Sequence, residues 1–310
     1  KKYLHISERK ISLIDIIRLI IFSKKNSIDI IHSHGKGAGL IGRIIKIFLR
    51  KPLIYTFHGI HTLCLSKVKK FFYIFYENFS GWLDDEKVFV SLSEKKQTKN
   101  LKIFIGKNNS IINNSSKEMT RQKNIQKKNN LKIGINNNKK NIISICRLVD
   151  QKNIFEIFKI AKKLQIYNFI VLGDGYLLEK AKIYVRNKKI MNVYLFGTKT
   201  DVFKYLYEAD LFLSTSLYEG HPISILEAMS IGLPIVASEV TGNIDTITNG
   251  LSGFLYRLGD INKAIYYIEK LMKNNELKLE ISNNSFLTHR KLFNTNKMKN
   301  SYISLYNKYK

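Results

Sequence analysis

The sequence predicts an α/β fold of two similar halves, each a mostly parallel sheet covered by helices. Three observations predict it. Short apolar runs alternate with helix-length amphipathic segments through both halves, which is the rhythm of repeated strand–helix–strand units. The runs 209–216 and 233–237 are apolar on both faces, as a strand with helices on either side requires. Between the halves, residues 113–141 turn to Asn, Lys and Ser with few apolar side chains apart from LKIGI, the composition of a linker.

In the first half, residues 12–23 have helical spacing. Asp15 and Arg18 interrupt the apolar run 11–22, so it reads as a core helix and is no membrane span. Residues 28–32 form a short apolar strand that ends in the polar turn HSHGKGAG. A helix over 40–49, a strand over 53–57 ending in HGIH, a long aromatic helix over 68–82, a strand over 87–91, a helix over 94–100 and a short strand near Ile111 follow. Open α/β sheets place ligands at the carboxyl ends of their strands. His32, His34, His58 and His61 should therefore converge on one crevice, and Gly59 after His58 allows close backbone approach.

The second half restarts with a strand over 141–146, a helix over 153–164, a strand over 168–172, a helix over 177–187, a strand over 193–196 and a helix over 202–208. Residues 209–238 then give strand, loop, helix and strand, with Pro222 near the helix start and Gly232 past its end. Beyond lie a turn-rich loop over 246–253, a helix over 262–272 and a basic, aromatic terminal helix over 293–309. The domain limits are a first domain 1–115, a linker 116–140, a second domain 141–292, and a final helix 293–310 that packs back on the first domain.

The 310 residues suffice for two cores. Lys and Arg outnumber Asp and Glu by 52 to 24, a net +28 that attracts nucleic acid, anionic lipid or phosphorylated molecules. No nucleic-acid motif accompanies the charge, so a nucleic-acid binder is the weaker reading and none is expected as a partner. The two cysteines, Cys64 and Cys146, exclude a disulfide scaffold and suit a reducing compartment.

The candidate chemistry gathers at strand ends. The loop CRLVDQKN supplies Arg147 and Lys152, a guanidinium fork and a point charge able to hold a diphosphate. The free amides of His221, Ile223 and Ser224 at a helix start form an anion site beside Glu219, and Glu227 lies one turn into that helix. Both carboxylates could face one pocket. Two carboxylates also fit a glycosidase, but the neighbouring cations and helix start favour a phosphorylated donor. LGDGY carries Gly173 and Gly175 as a tight turn, and no GxGxxG follows a first strand, which excludes a dinucleotide enzyme. His32, His34 and Lys36 share an edge with His58, where zinc would lack a well-spaced third ligand, so no metal is expected. KVKKFFYIFY reads as a buried helix with Phe71, Phe72 and Phe75 in the core, while Lys67, Lys69 and Lys70 remain able to touch an anionic membrane surface.

Together these motifs resemble the retaining glycosyltransferases of family 4, with the GT-B fold of two Rossmann-like domains facing a cleft. The resemblance rests on HSHGKGAGLIGR, YTFHG, RLVDQKN, LGDG, LFGTKTDV, STSLYEGHPISILEAMSIGLPIVAS with its E-x7-E spacing, and NGLSG. It implies transfer, with retention, from a nucleotide-sugar donor, UDP-linked, to a glycan or lipid-linked glycan of the bacterial surface. The implied setting is the cytoplasm, peripheral to the inner face of the membrane, with no cofactor beyond the donor. Arg147 and Lys152 would bind the diphosphate, and Glu219 with the amides of Gly220 to Ser224 the sugar and phosphate. Glu227 would bind the ribose, Phe196 and Gly197 the base; His58 would sit near the anomeric carbon, with His34 and Lys36 on the acceptor side. The family opens with a strand and a glycine-rich loop that have no counterpart after Lys1. The first sheet is therefore expected to lack its first strands, and the alternative reading is an inactive, truncated relative that binds a nucleotide or a partner at most.

Overall fold

The computed structural model describes residues 2–4, 12–60, 65–119 and 138–310. The chain divides into two units, Lys1–Asn113 with Lys299–Lys310, and Asn114–Met298.

The first unit holds a parallel sheet of β1 (Ile31–His34), β2 (Leu53–Thr56), β3 (Glu86–Phe89) and β4 (Asn109–Ile111), adjacent in that order. Its helices are α1 (Leu13–Lys25), α2 (Gly35–Leu49), α3 (Lys67–Ser80) and α4 (Leu92–Asn100). Ser12 and Asp15 form a reciprocal capping box that fixes the start of α1. HSHGKGAG is not a turn: β1 runs on to His34 and α2 begins at once. Its glycines serve contact. A Cβ on Gly39 would lie 2.6 Å from the Tyr55 ring, and one on Gly42 would lie 2.0 Å from Ser33 Oγ, so α2 can press flat on the sheet.

Behind the sheet sits a buried charge cluster. Arg43 donates to both oxygens of Asp84 (2.9 and 2.7 Å), to Glu77 Oε2 (2.8 Å) and to Ser80 Oγ (2.9 Å). Burial works against the guanidinium charge, but the Asp84 and Glu77 carboxylates outweigh it and hold the Arg43 pKa above its ordinary value. The cluster draws the polar side of α3 inward, together with Tyr73. Phe71, Phe72 and Phe75, expected in the core, are exposed instead.

The second unit is a six-stranded parallel sheet in the order β10-β9-β8-β5-β6-β7. Its strands are β5 (Asn141–Ile145), β6 (Asn168–Leu172), β7 (Val193–Leu195), β8 (Leu211–Ser214), β9 (Ile235–Ser238) and β10 (Phe254–Tyr256). Alternate side chains serve two cores. Ile142, Phe169, Val171, Leu211 and Leu213 pack with α5 (Ile154–Lys163), α6 (Leu178–Asn187) and α10 (Ile261–Lys273). Ile143, Ile170, Leu172 and Phe212 pack with α7 (Phe203–Leu206) and α8 (Ile223–Ser230) on the other face. The order turns back between β5 and β8, which is a topological switch point.

Three elements of this unit were not foreseen: the short α9 (Asn243–Thr246), β10, and α11 (Asn275–Leu292). The inward stripe of α11 is Ile281, Ser282, Ser285 and His289, too polar to read as a core face, and Ser285 Oγ donates to Leu233 O at 3.4 Å. The final helix is α12 (Thr295–Asn307).

Replacing Arg43 by Ala leaves the buried Glu77 carboxylate without its cation and Asp84 with only Lys87, 3.4 Å away. The expected cost is about 3–5 kcal/mol of unfolding free energy, measured as a lower urea midpoint; an unchanged midpoint would count against the cluster as an anchor.

Candidate functional site

In the second unit the loops after β5 and β8 meet at the switch point because the two strands are hydrogen-bonded neighbours, Ile142 beside Leu211 and Ile143 beside Phe212. The loop after β5 makes a short 3-10 turn over Asp150–Lys152 and passes through Asn153 in the left-handed region, φ 48°. Thr215 Oγ1 donates to the carbonyls of Lys152 (2.9 Å) and Asn153 (3.1 Å). Gln151 returns the clamp: its Nε2 donates to Tyr218 O at 2.9 Å and its carbonyl accepts from Leu217 N at 2.8 Å.

This clamp brings Lys152 and Glu219 together. Lys152 Nζ donates to Glu219 Oε1 at 2.5 Å, and Ser216 Oγ donates to the same oxygen at 2.6 Å. Both charged side chains are largely withdrawn from water. A small cavity below the pair is lined by Ser144, Cys146, Lys152, Ser216, Glu219 and Ser224 among others. Burial pushes the Cys146 thiol up to about 12 against the pull of nearby Lys152, so it is no nucleophile at neutral pH.

Glu219 is also braced from behind. Its amide donates to Thr241 O at 3.0 Å, and Gly242 follows with φ 83°. A Cβ there would fall 2.7 Å from Gly220 O and 2.9 Å from Glu219 Cβ, so the turn needs glycine. Pro222 then precedes α8, and the amides of Gly220, His221, Ile223 and Ser224 make no backbone hydrogen bond among the described residues. They are available to an anion at a helix start. Glu227 does not line the Glu219 cavity; it is half-buried, and burial raises its carboxyl pKa.

Arg147 is exposed and has no ion pair among the described residues. The glycines of LGDGY make room for its loop: a Cβ on Gly173 would fall 1.9 Å from Cys146 O, and one on Gly175 would fall 2.4 Å from Leu148 O. Tyr176 OH ties the two loops by donating to Asp150 Oδ2 at 2.6 Å. Phe196 and Gly197 follow β7. Gly197 O accepts from Gly173 N at 2.8 Å, and the space where its side chain would be is open.

The first unit assembles histidines at the ends of β1 and β2. His34 Nδ1 and His58 Nε2 share a hydrogen bond of 2.8 Å, and the His32 and His34 rings lie 4.1 Å apart. His32 Nδ1 bonds Tyr306 OH at 2.7 Å and its Nε2 bonds Thr56 Oγ1 at 2.9 Å. Burial, then the neighbouring histidines, lowers the pKa of His32 to about 3 and of His58 to about 4; burial lowers that of His34 as well. All three are neutral at pH 7. His58 has φ 61°, a costly left-handed conformation for a side-chain-bearing residue, held because the next amide, Gly59 N, donates to the Glu94 carboxylate. Lys36 Nζ sits over the Tyr73 ring at 4.1 Å. His61 and Cys64 lie outside the described residues.

Sequence reasoning passed over Ser216, Thr215, Gln151, the Thr241–Gly242 turn and Glu94. Ser216 stands three residues before Glu219, a spacing that a loop reading could have used. The others act across strands, and nothing local marks them.

Two parallel α/β units, the second wound both ways from a switch point that carries a Lys–Glu pair, have the GT-B fold. The chain belongs to the family Glycosyl transferases group 1, whose pattern matches residues 125–287. It is 26% identical, over 89% of its own length and 75% of the relative's, to the UDP-Gal:alpha-D-GlcNAc-diphosphoundecaprenol alpha-1,3-galactosyltransferase of Escherichia coli. It is 25% identical, over 87% and 74%, to the capsular polysaccharide biosynthesis glycosyltransferase CapM of Staphylococcus aureus. Among solved structures, Anabaena HepE in complex with UDP and glucose superposes with a TM-score of 0.83 at 18% identity, over 94% of this chain and 81% of that one.

His221 yields a test of the site's interior. Its ring is 4% exposed, edge-on to Phe293 with centroids 5.0 Å apart, and neither nitrogen has a partner among the described residues. Burial lowers its pKa to about 4. The unfolded chain, titrating near ~6.5, binds more protons than the fold between these values. Stability should therefore fall as pH drops from about 6.5 to about 4. His221→Leu is expected to melt at or above the wild-type temperature at neutral pH and to lose less on acidification; an acid loss equal to wild type would rule out a buried neutral ring.

Proposed function

We propose that the protein is a retaining glycosyltransferase that moves a hexosyl or N-acetylhexosaminyl group from a UDP-linked donor to a glycan or lipid-linked glycan of the bacterial surface, working in the cytoplasm. The observation that carries this reading is the Lys152–Glu219 pair beside the unbonded amides at the start of α8, set at the switch point of the second sheet. The names of the E. coli galactosyltransferase and of CapM support the substrate class.

In this reading Lys152 and Arg147 neutralise the donor diphosphate, and the amides of Gly220, His221, Ile223 and Ser224 receive its distal phosphate and the sugar. Glu219, held by Lys152 and Ser216, orients the sugar hydroxyls. Glu227, further along α8, takes the ribose, and the main chain at Phe196 and Gly197 takes the base. In the first unit, neutral His58 is the hydrogen-bonding group for the reacting sugar, with His34 fixing its tautomer and Lys36 serving the acceptor.

The bond from the anomeric carbon to the phosphate oxygen breaks, and its electron pair leaves on the diphosphate. The acceptor oxygen bonds to the same face of the carbon, and its proton passes to the departing phosphate. Positioned cations and amides, already in place before reaction, stabilise the charge that develops on the diphosphate.

Transfer from a panel of UDP-sugars to a lipid-linked acceptor should fall by roughly 10²–10³-fold in Lys152→Ala and in Glu219→Ala, with unchanged far-ultraviolet circular dichroism. Activity equal to wild type in both variants would sink the donor assignment.

A further inference from the structure

The apolar stripe of α3 faces outward. Val68, Phe71, Phe72, Phe75 and Phe79 follow one another at i, i+3, i+4, i+7 and i+11, an arc of roughly 100° on one side of the helix. Each is more than half exposed, and Trp82, in the 3-10 turn that continues the helix, is 71% exposed. The rings pack on one another: Phe75 and Phe79 stack with centroids 5.9 Å apart, and Phe71 meets Phe72 edge-on at 5.8 Å. An amphipathic helix in water normally turns such a stripe to the core. Here the inward positions are held by Tyr73, Glu77 and Ser80, the last two bonded to Arg43.

We propose that α3 is a membrane-docking helix that lies in the interface of an anionic lipid bilayer. The charges fit this occupant. Lys67 and Lys69 are exposed and flank the stripe on opposite sides, where they meet head groups as the rings enter the acyl boundary. Beside the stripe a cavity of about 350 Å³ is lined by Lys36, Leu65, Lys69, Phe72, Tyr73 and Tyr76, apolar walls with two ammonium groups, the chemistry of a lipid phosphate and its proximal chain. The helix has 14 residues, and among the described residues no helix is long and apolar enough to cross a bilayer, so α3 lies on the surface. A second copy is the poorer occupant. A twofold contact through this stripe would bring together the lysines of two chains that each carry a net +28.

The experiment is co-sedimentation of the full chain with vesicles of phosphatidylcholine alone and of phosphatidylcholine with phosphatidylglycerol, with light scattering of the free protein. Binding is expected to the anionic vesicles only and to weaken with salt. Phe72→Asp with Phe75→Asp should cut partitioning at least about tenfold. Lys67→Glu with Lys69→Glu should cut it roughly tenfold or more and, because both side chains are exposed, tests the idea even if the aspartates unfold the chain. Wild type that ignores anionic vesicles, equal binding to neutral ones, or undiminished binding by the lysine pair overturns the proposal. So does a wild-type dimer that the aspartate pair converts to monomer. Binding is measured without donor or acceptor, so failure here leaves the transfer reading standing, and loss of transfer leaves this one.

Discussion

The pairing of β5 with β8 is the constraint on which the second unit depends. These strands are far apart in sequence, and the chain winds away from β5 in one direction and back past it in the other. A gap in helix coverage follows at that point, because the loops after the two strands diverge to opposite faces. Thr215 and Gln151 can stitch the loops together only because the strands before them are neighbours. Lys152 then reaches Glu219 without either leaving its own loop. The candidate chemistry is thus a consequence of winding order, and the LGDGY glycines serve the same end by letting a third loop approach the first.

The two units bury charge for different ends. Arg43 uses all three guanidinium nitrogens on Asp84, Glu77 and Ser80 in four hydrogen bonds, and its side chain is buried. That arrangement is an anchor, and it suits arginine, whose planar fork answers two carboxylates at once. Among the described residues, Lys152 makes one ion pair, at a loop edge beside amides with no backbone partner. The histidines take a third course: His32 and His58, half-buried and beside the exposed His34, stay neutral and keep their hydrogen-bonding capacity at pH 7.

Strands buried on both faces were legible because their apolar runs are short and bounded, and β5, β6 and β9 fall close to where the runs place them. Glycines were less so. In HSHGKGAG they resemble a turn, yet Gly39 and Gly42 are set by what lies opposite, Tyr55 and Ser33, which no local pattern reveals. The polar stripe of α11 and the three residues of β10 escaped for a related reason, since their burial comes from partners distant in sequence. At the candidate site Lys152, Glu219 and the amides before α8 could be read from strand ends and a helix start. Ser216, Gln151 and the Thr241–Gly242 brace could not, because their contacts cross between strands.

Helix α3 shows how periodicity can be right and its direction wrong. The stripe of phenylalanines is as regular as any core face in the chain, and spacing alone says that it needs an apolar surface, not which one. The deciding information sits on α2 and after α3, in Arg43 and Asp84, which demand the opposite side of the helix. Once Glu77 and Ser80 are committed to that buried cluster, rotating the phenylalanines inward would carry the two partners into water and strand the guanidinium. The charge cluster therefore fixes the helix with its apolar side outward, at a cost in hydration that a free-standing soluble protein has no reason to bear. An interface that is itself apolar offsets that cost, and the lysines on either flank give it a sign.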